Sequence, residues 1–224
     1  MFSPQLVLFD LDGTLVDSVP DLAYSVDAMQ QQLGLPQRGE AAVRQWVGNG
    51  VQRLVERALS NDLDGMPDQA LLARALPIFM QVYAENNAKR SRLYDGVVEG
   101  LQFVRNAKLH CACVTNKAEQ FTFPLLEQLG VLPYFEMVIS GDSLPEKKPH
   151  PLPLLHIAEH FGVKPKQSLM VGDSKSDVKA ARAAGFNVIC TSYGYNHGED
   201  ISHYQPDAII DSLAELQHLL HVSA

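Results

Sequence analysis

The 224-residue chain has little cysteine, no basic tract, no long apolar run and no internal repeat, and each of these absences closes off a class of protein. Three cysteines, Cys111, Cys113 and Cys190, are too few for a disulfide framework, and all fall in apolar stretches that read as strands. Cys111 and Cys113 are two apart, so on a strand they share a face; that spacing matches neither a redox CxxC pair nor a zinc knuckle. The expectation is buried, reduced thiols and a cytoplasmic setting. Lysine and arginine number 18 against 26 aspartate and glutamate, a formal net charge of -8. Without a basic tract, neither a nucleic-acid backbone nor an anionic membrane finds a matching surface. No apolar run approaches the roughly 18 residues of a membrane span, and no basic region precedes the first apolar run. Neither nucleic acid nor a membrane is an expected partner. Oligomeric state is left open.

With 46% hydrophobic and 20% charged residues, the chain can bury a sizeable core. Short apolar runs at Leu6 to Phe9, Cys111 to Val114, Met137 to Ile139, Leu169 to Val171, Val188 to Cys190 and Ala208 to Ile210 read as buried strands. From residue 97 onward they alternate with helical stretches at Val98 to Asn106, Glu119 to Leu129, Leu152 to Phe161 and Lys175 to Ala184. This predicts an α/β fold, a Rossmann-like doubly wound parallel sheet. Residues 18–90 break the alternation: they are helical in period, with loops at Gly34 to Gly39 and Gly48 to Gly50, and contain no convincing strand. They read as a small α-helical cap domain inserted into a core made of residues 1–17 and 91–224. The residues after about Gln217 are expected to end in a fraying helix.

The chemistry concentrates at strand ends. Asp10-Leu11-Asp12-Gly13-Thr14 follows the first apolar run directly, where an open α/β sheet places its ligands. Two acids one residue apart point to the same side of a continuing strand, and Gly13 permits a sharp departure that exposes them. Read alone, the motif has an ordinary Asp-Gly turn with a solvated Asp10 as its competing explanation. A second acidic pair, Asp173 and Asp177, lies in Gly172-Asp173-Ser174-Lys175-Ser176-Asp177, at a strand end and one helical turn beyond it. Helix capping accounts for one such residue, not for both acids. Four carboxylates on neighbouring strand ends repel one another unless a cation intervenes. Oxygen donors without His or Cys favour Mg²⁺. Lys148, ahead of Pro149, offers a fixed positive charge. Thr115-Asn116, at the end of the second core strand, offers a hydroxyl and N–H groups for phosphate oxygens, although the pair is equally a helix cap.

These motifs, in this order, resemble the haloacid dehalogenase superfamily of phosphohydrolases, and the resemblance extends over essentially the whole chain. A narrower resemblance to the phosphoglycolate phosphatases rests on Val47-Gly48-Asn49-Gly50-Val51, Tyr94-Asp95-Gly96-Val97 and Lys147-Lys148-Pro149-His150-Pro151. The resemblance implies Asp10 as a nucleophile that carries phosphate. It implies Asp12 as the acid that protonates the leaving alkoxide and then activates water. Mg²⁺ would be held by Asp10, the backbone carbonyl of Asp12 and Asp173, with Asp177 supporting metal waters or Lys148. Thr115, the Asn116 amide and Lys148 would bind the transferring phosphoryl group. An acid at Asp12 argues for ester hydrolysis over dehalogenation. Asp95, where many relatives carry proline, is a small departure confined to the turn.

Other signals are weaker. His156-Ile157-Ala158-Glu159-His160 matches a zinc signature literally, but five residues match cheaply, and an exposed pair on an outer helix is the expectation. Gly48-Asn49-Gly50 lacks the third glycine and the strand of a dinucleotide fingerprint. It reads as a cap loop closing on substrate, with Arg53 as a candidate partner for a substrate carboxylate. Trp46 is expected in the cap core. The competing functions are a sugar-phosphate phosphatase, a phosphomutase of the β-phosphoglucomutase kind, and a noncatalytic binding protein of the same fold.

Overall fold

The computed structural model describes residues 2–221. Its core is a six-stranded sheet of β1 (Leu6–Phe9), β4 (His110–Val114), β5 (Met137–Ile139), β6 (Ser168–Gly172), β7 (Asn187–Thr191) and β8 (Ala208–Ile210), in the order β5-β4-β1-β6-β7-β8. Every neighbouring pair is parallel. The apolar runs become these strands because both sheet faces are covered, and the pleat divides each run between two cores. Val7, Phe9, Cys111, Cys113, Leu169 and Val171 face one way, against α5 (Val97–Asn106), α6 (Glu119–Gln128) and the short α9 (Leu216–Leu219). Leu6, Leu8, Ala112, Val114, Met170, Val188 and Cys190 face the other way, against α7 (Leu152–His160) and α8 (Lys175–Ala184). The shared face expected of Cys111 and Cys113 is observed, and all three cysteines are buried and free. Burial, helped by the nearby Asp10 carboxylate, holds the Cys113 thiol well above its ordinary pKa, so it packs as a neutral group.

The strand order reverses at β1. The chain winds from β1 outward through β4 and β5, then returns to the far side of β1 for β6, β7 and β8. A crevice therefore opens at the carboxyl end of β1, and the residues following β1, β4 and β6 are the ones that face it.

Four helices, α1 (Val19–Gln32), α2 (Gly39–Trp46), α3 (Val51–Ser60) and α4 (Gln69–Asn86), lie between two short strands that the sequence pattern did not reveal. These are β2 (Val16–Asp17) and β3 (Arg92–Leu93), an antiparallel pair at the neck of the insertion. The helices share a third apolar cluster that includes Val26, Met29, Leu54, Phe79 and Tyr83, and Trp46 belongs to it, as expected. That cluster also takes in Phe121 and Tyr195 from the sheet-bearing part, so the helices are docked on the core. Asp21, fully buried, fixes the return of the chain: its carboxylate accepts from the Arg90 and Ser91 backbone N–H groups and from the Ser91 hydroxyl. The expected terminal helix is α9, and residues 222–224 lie outside the described residues. Among the described residues no helix is long and apolar enough to cross a membrane.

Candidate active site

The turn after β1 is built around Gly13, whose φ of +91° is a conformation that glycine adopts without strain. A Cβ there would sit 2.3 Å from Asp173 Oδ2, so the absent side chain also makes room for a carboxylate from the neighbouring strand end. The site divides into two parts on either side of this turn.

On one side stand Asp10, Asp173 and Asp177, whose carboxylate oxygens lie within 4.8 Å of one another. Lys148 is buried among them. Its Nζ donates to Asp177 Oδ1 at 2.7 Å and to the Val114 carbonyl at 2.7 Å, and sits 2.9 Å from Asp10 Oδ1. All three ammonium protons have acceptors. Asp173 accepts from Thr14 Oγ1 at 2.7 Å and from the Tyr195 backbone N–H at 2.6 Å. Asp177 Oδ2 accepts from the Asp173 and Ser174 N–H groups and from the Ser174 hydroxyl, which ties it to the first turn of α8. With one oxygen on Lys148 and the other on the N-cap residues of α8, Asp177 is shaped to position Lys148.

Three carboxylates here face one ammonium, a formal surplus of two negative charges. Burial, resisted by Lys148 and reinforced by Asp177, pushes the Asp10 carboxyl up to about 7. Burial, with Asp177 and Asp10 beside it, holds Asp173 well above the usual carboxylate range. Burial works against the charge of Lys148 too, but Asp10 and Asp177 keep it above its ordinary value, so it stays an ammonium. A divalent cation cancels a surplus of two and reverses the pressure on both acids. Oxygen donors alone, without His or Cys, suit Mg²⁺. The residues present therefore fit that ion.

On the other side stands Asp12. Its carboxylate is absent from the three-acid group because both its oxygens are taken by Lys117 Nζ, at 3.1 and 3.2 Å. The same ammonium donates to Tyr83 Oη at 2.5 Å, and Tyr83 belongs to α4, the last helix of the insertion. The Lys117 side chain is only 3% exposed. Burial opposes its charge, yet Asp12 and Tyr83 together hold it above the ordinary lysine value.

Thr115 and Asn116 follow β4 as expected. Thr115 is buried, and its Oγ1 accepts from the Lys117 N–H. The Asn116 side-chain amide is spent on the Gly48 and Lys148 carbonyls, at 3.2 and 2.9 Å, so it fastens the loop between α2 and α3 over the site. Beneath that loop a cavity of about 40 Å³ is lined by Asp10, Asp12, Thr115, Asn116 and Lys117 from below, and by Leu22, Val47, Val51 and Leu54 from above. Gly48 and Gly50 line it, as the loop reading expected.

Asn49 and Arg53 do not reach it. The Asn49 carbonyl accepts from Lys147 on the outer side of the loop. Arg53 is turned away because acceptors close to it in sequence capture its guanidinium: Glu56 Oε2 and the Leu63 and Gly65 carbonyls, each at 3.0 Å. Arg53, the expected partner for a substrate carboxylate, thus lies outside the cavity in this structure. His156 and His160 are exposed on α7, away from the site, as expected.

Sequence reasoning missed Lys117, Tyr83 and Thr14. Thr14 and Lys117 are adjacent in sequence to residues already singled out, and that adjacency was the available signal. Tyr83 sits inside an apolar helical pattern and gave none.

The profile of the family described as haloacid dehalogenase-like hydrolase matches residues 7–191. A phosphoglycolate phosphatase of Nitrosococcus oceani is 59% identical over 221 residues, covering 99% of this chain and 98% of its own. A phosphoglycolate phosphatase of Thiobacillus denitrificans is 50% identical over 209 residues, covering 93% and 92%. Among solved structures, a predicted phosphoglycolate phosphatase from Haemophilus somnus superposes with a TM-score of 0.92 at 38% identity, covering 98% of this chain and 99% of that one.

Proposed function

The chain belongs to the haloacid dehalogenase-like hydrolases, and from that premise we propose that it hydrolyses 2-phosphoglycolate to glycolate and phosphate by way of a phosphoryl group carried on Asp10. The observation that carries this reading is the pair of unlike carboxylates at the end of β1, one in a cation-demanding acidic group and the other on a lysine at a small cavity.

Asp10 lies at the strand end with Lys148 against one oxygen, so an incoming phosphoryl group meets a fixed nucleophile and a fixed positive charge together. Mg²⁺, held by Asp10, Asp173 and the Asp12 carbonyl with Asp177 in support, would neutralise phosphate oxygens and let two anions approach. Thr115 and the Asn116 backbone amide face the same crevice and can hold equatorial oxygens. In the first step the Asp10 carboxylate bonds to phosphorus and the ester P–O bond breaks; Asp12, which takes up a proton when its ion pair with Lys117 opens to substrate, gives that proton to the departing glycolate oxygen. In the second, Asp12, now ionised, takes a proton from water, whose oxygen attacks phosphorus and restores Asp10.

Residues 18–90 act in this scheme as a cap hinged at β2 and β3. The Asn116 to Gly48 and Lys147 to Asn49 hydrogen bonds hold it shut and must part for substrate to enter. The cavity beneath the loop is small and partly open, and a two-carbon leaving group is the compact choice for it. The relatives' names agree with that choice.

The test is kcat/KM with Mg²⁺ on 2-phosphoglycolate, hexose 6-phosphates, ribose 5-phosphate and a nucleoside monophosphate. A dominant value for 2-phosphoglycolate is the expected result. Comparable values would leave a phosphatase without this substrate choice, and turnover only with a hexose bisphosphate present would make it a mutase.

A further inference from the structure

We infer that Lys117 is the residue that reads the carboxylate of the leaving group and so sets substrate choice. The inference rests on the proposed hydrolysis of 2-phosphoglycolate and assigns its recognition to one ammonium. The part of the cavity furnished by residues 18–90 is apolar or glycine, and Arg53, the cation that region would have supplied, faces outward. Lys148 does not line the cavity and stands on the nucleophile's side, against Asp10, Asp177 and Val114. Among the described residues lining the cavity, Lys117 alone is cationic.

Its place is the one that leaving-group chemistry requires. The proton donor must touch the alkoxide oxygen, and in glycolate a single methylene separates that oxygen from the carboxylate. A cation within hydrogen-bond distance of the donor is therefore within reach of the carboxylate too. Lys117 Nζ, at 3.1 and 3.2 Å from the two Asp12 oxygens, meets that condition. Tyr83 also accepts from the ammonium, and it comes from α4, so closing the helical insertion and aiming the lysine are one event. Burying a lysine against a single acid is a poor way to gain stability, since the desolvation cost rivals the attraction. Recognition of an anion gives the arrangement a use.

Ethyl phosphate, which replaces the carboxylate by a methyl group, is the comparison substrate. In Lys117→Met the ratio of kcat/KM for 2-phosphoglycolate to that for ethyl phosphate should fall by about 30-fold or more, the effect of truncating one member of a desolvated charge pair. Lys117→Arg should recover part of it. Equal losses on both substrates would mean that Lys117 acts through Asp12 alone, and would overturn the inference while leaving the proposed hydrolysis intact. A wild-type enzyme with no preference for 2-phosphoglycolate over ethyl phosphate would instead overturn both. Should Lys117→Met not fold, Asp12→Asn/Lys117→Met removes the buried pair together. Calorimetry with Mg²⁺ and 2-phosphoglycolate then compares it with Asp12→Asn. Weaker binding of 2-phosphoglycolate with unchanged binding of ethyl phosphate supports the inference, and unchanged binding of both contradicts it.

Discussion

The two sides of the site use the same residue types to opposite effect. Around Asp10, three carboxylates crowd one lysine and leave a surplus of negative charge. Around Asp12, one carboxylate meets one lysine and the charges balance. The first side comes from the ends of β1, β4 and β6, the first turn of α8 and the loop carrying Lys148; the second depends on Tyr83, from the helical insertion. The difference teaches how two aspartates separated by one residue acquire different work. In the proposed reaction the unbalanced side would take the cation and provide the nucleophile, while the balanced side, completed by Tyr83, would handle the leaving group.

The comparison breaks most sharply at Asp10. Asp10→Asn keeps the shape and removes the nucleophile, and kcat/KM should fall by about ten-thousandfold or more. Turnover retained at a tenth of wild type would end the division of roles. Next in size is Lys148→Met, which leaves Asp10 and Asp177 facing each other without a cation. Chemical denaturation should show a loss of about 3–5 kcal/mol, the usual effect of breaking a buried pair. Added Mg²⁺ should recover part of that loss, because the same surplus charge draws the ion.

Cation binding sharpens the contrast. Mg²⁺ at 100 times its Kd should stabilise the wild type by about 2.7 kcal/mol. Asp173→Asn should abolish most of that gain in thermal unfolding, whereas Asp12→Asn should retain it. A loss in Asp12→Asn equal to that in Asp173→Asn would erase the boundary between the two sides. The smallest effect belongs to Arg53→Ala: with its guanidinium held by Glu56, Leu63 and Gly65, kcat/KM for 2-phosphoglycolate should stay unchanged, and a steady-state assay suffices to check it.

The same division explains what the sequence disclosed. The six apolar runs became the six strands of the sheet within a residue at each end, because a doubly covered strand leaves a continuous apolar signal. Asp10, Asp173 and Asp177 were legible because strand-end acids lie next to their strands in the chain. The strands Val16–Asp17 and Arg92–Leu93 are too short to show any period. Lys117 meets Asp12 across 105 residues and Tyr83 across 34, and no local pattern records such a meeting. The partners of Arg53 were hidden for the converse reason: they lie within 12 residues, yet only the folded loop brings their carbonyls to it.

The central claim is that Asp10 carries the phosphoryl group. Its most direct test is rapid acid quench of the enzyme turning over ³²P-labelled 2-phosphoglycolate with Mg²⁺, followed by peptide mapping. The account predicts transient label on the peptide containing Asp10, absent from Asp10→Asn. Label on another residue, or full turnover with no labelled protein at any time point, would contradict it.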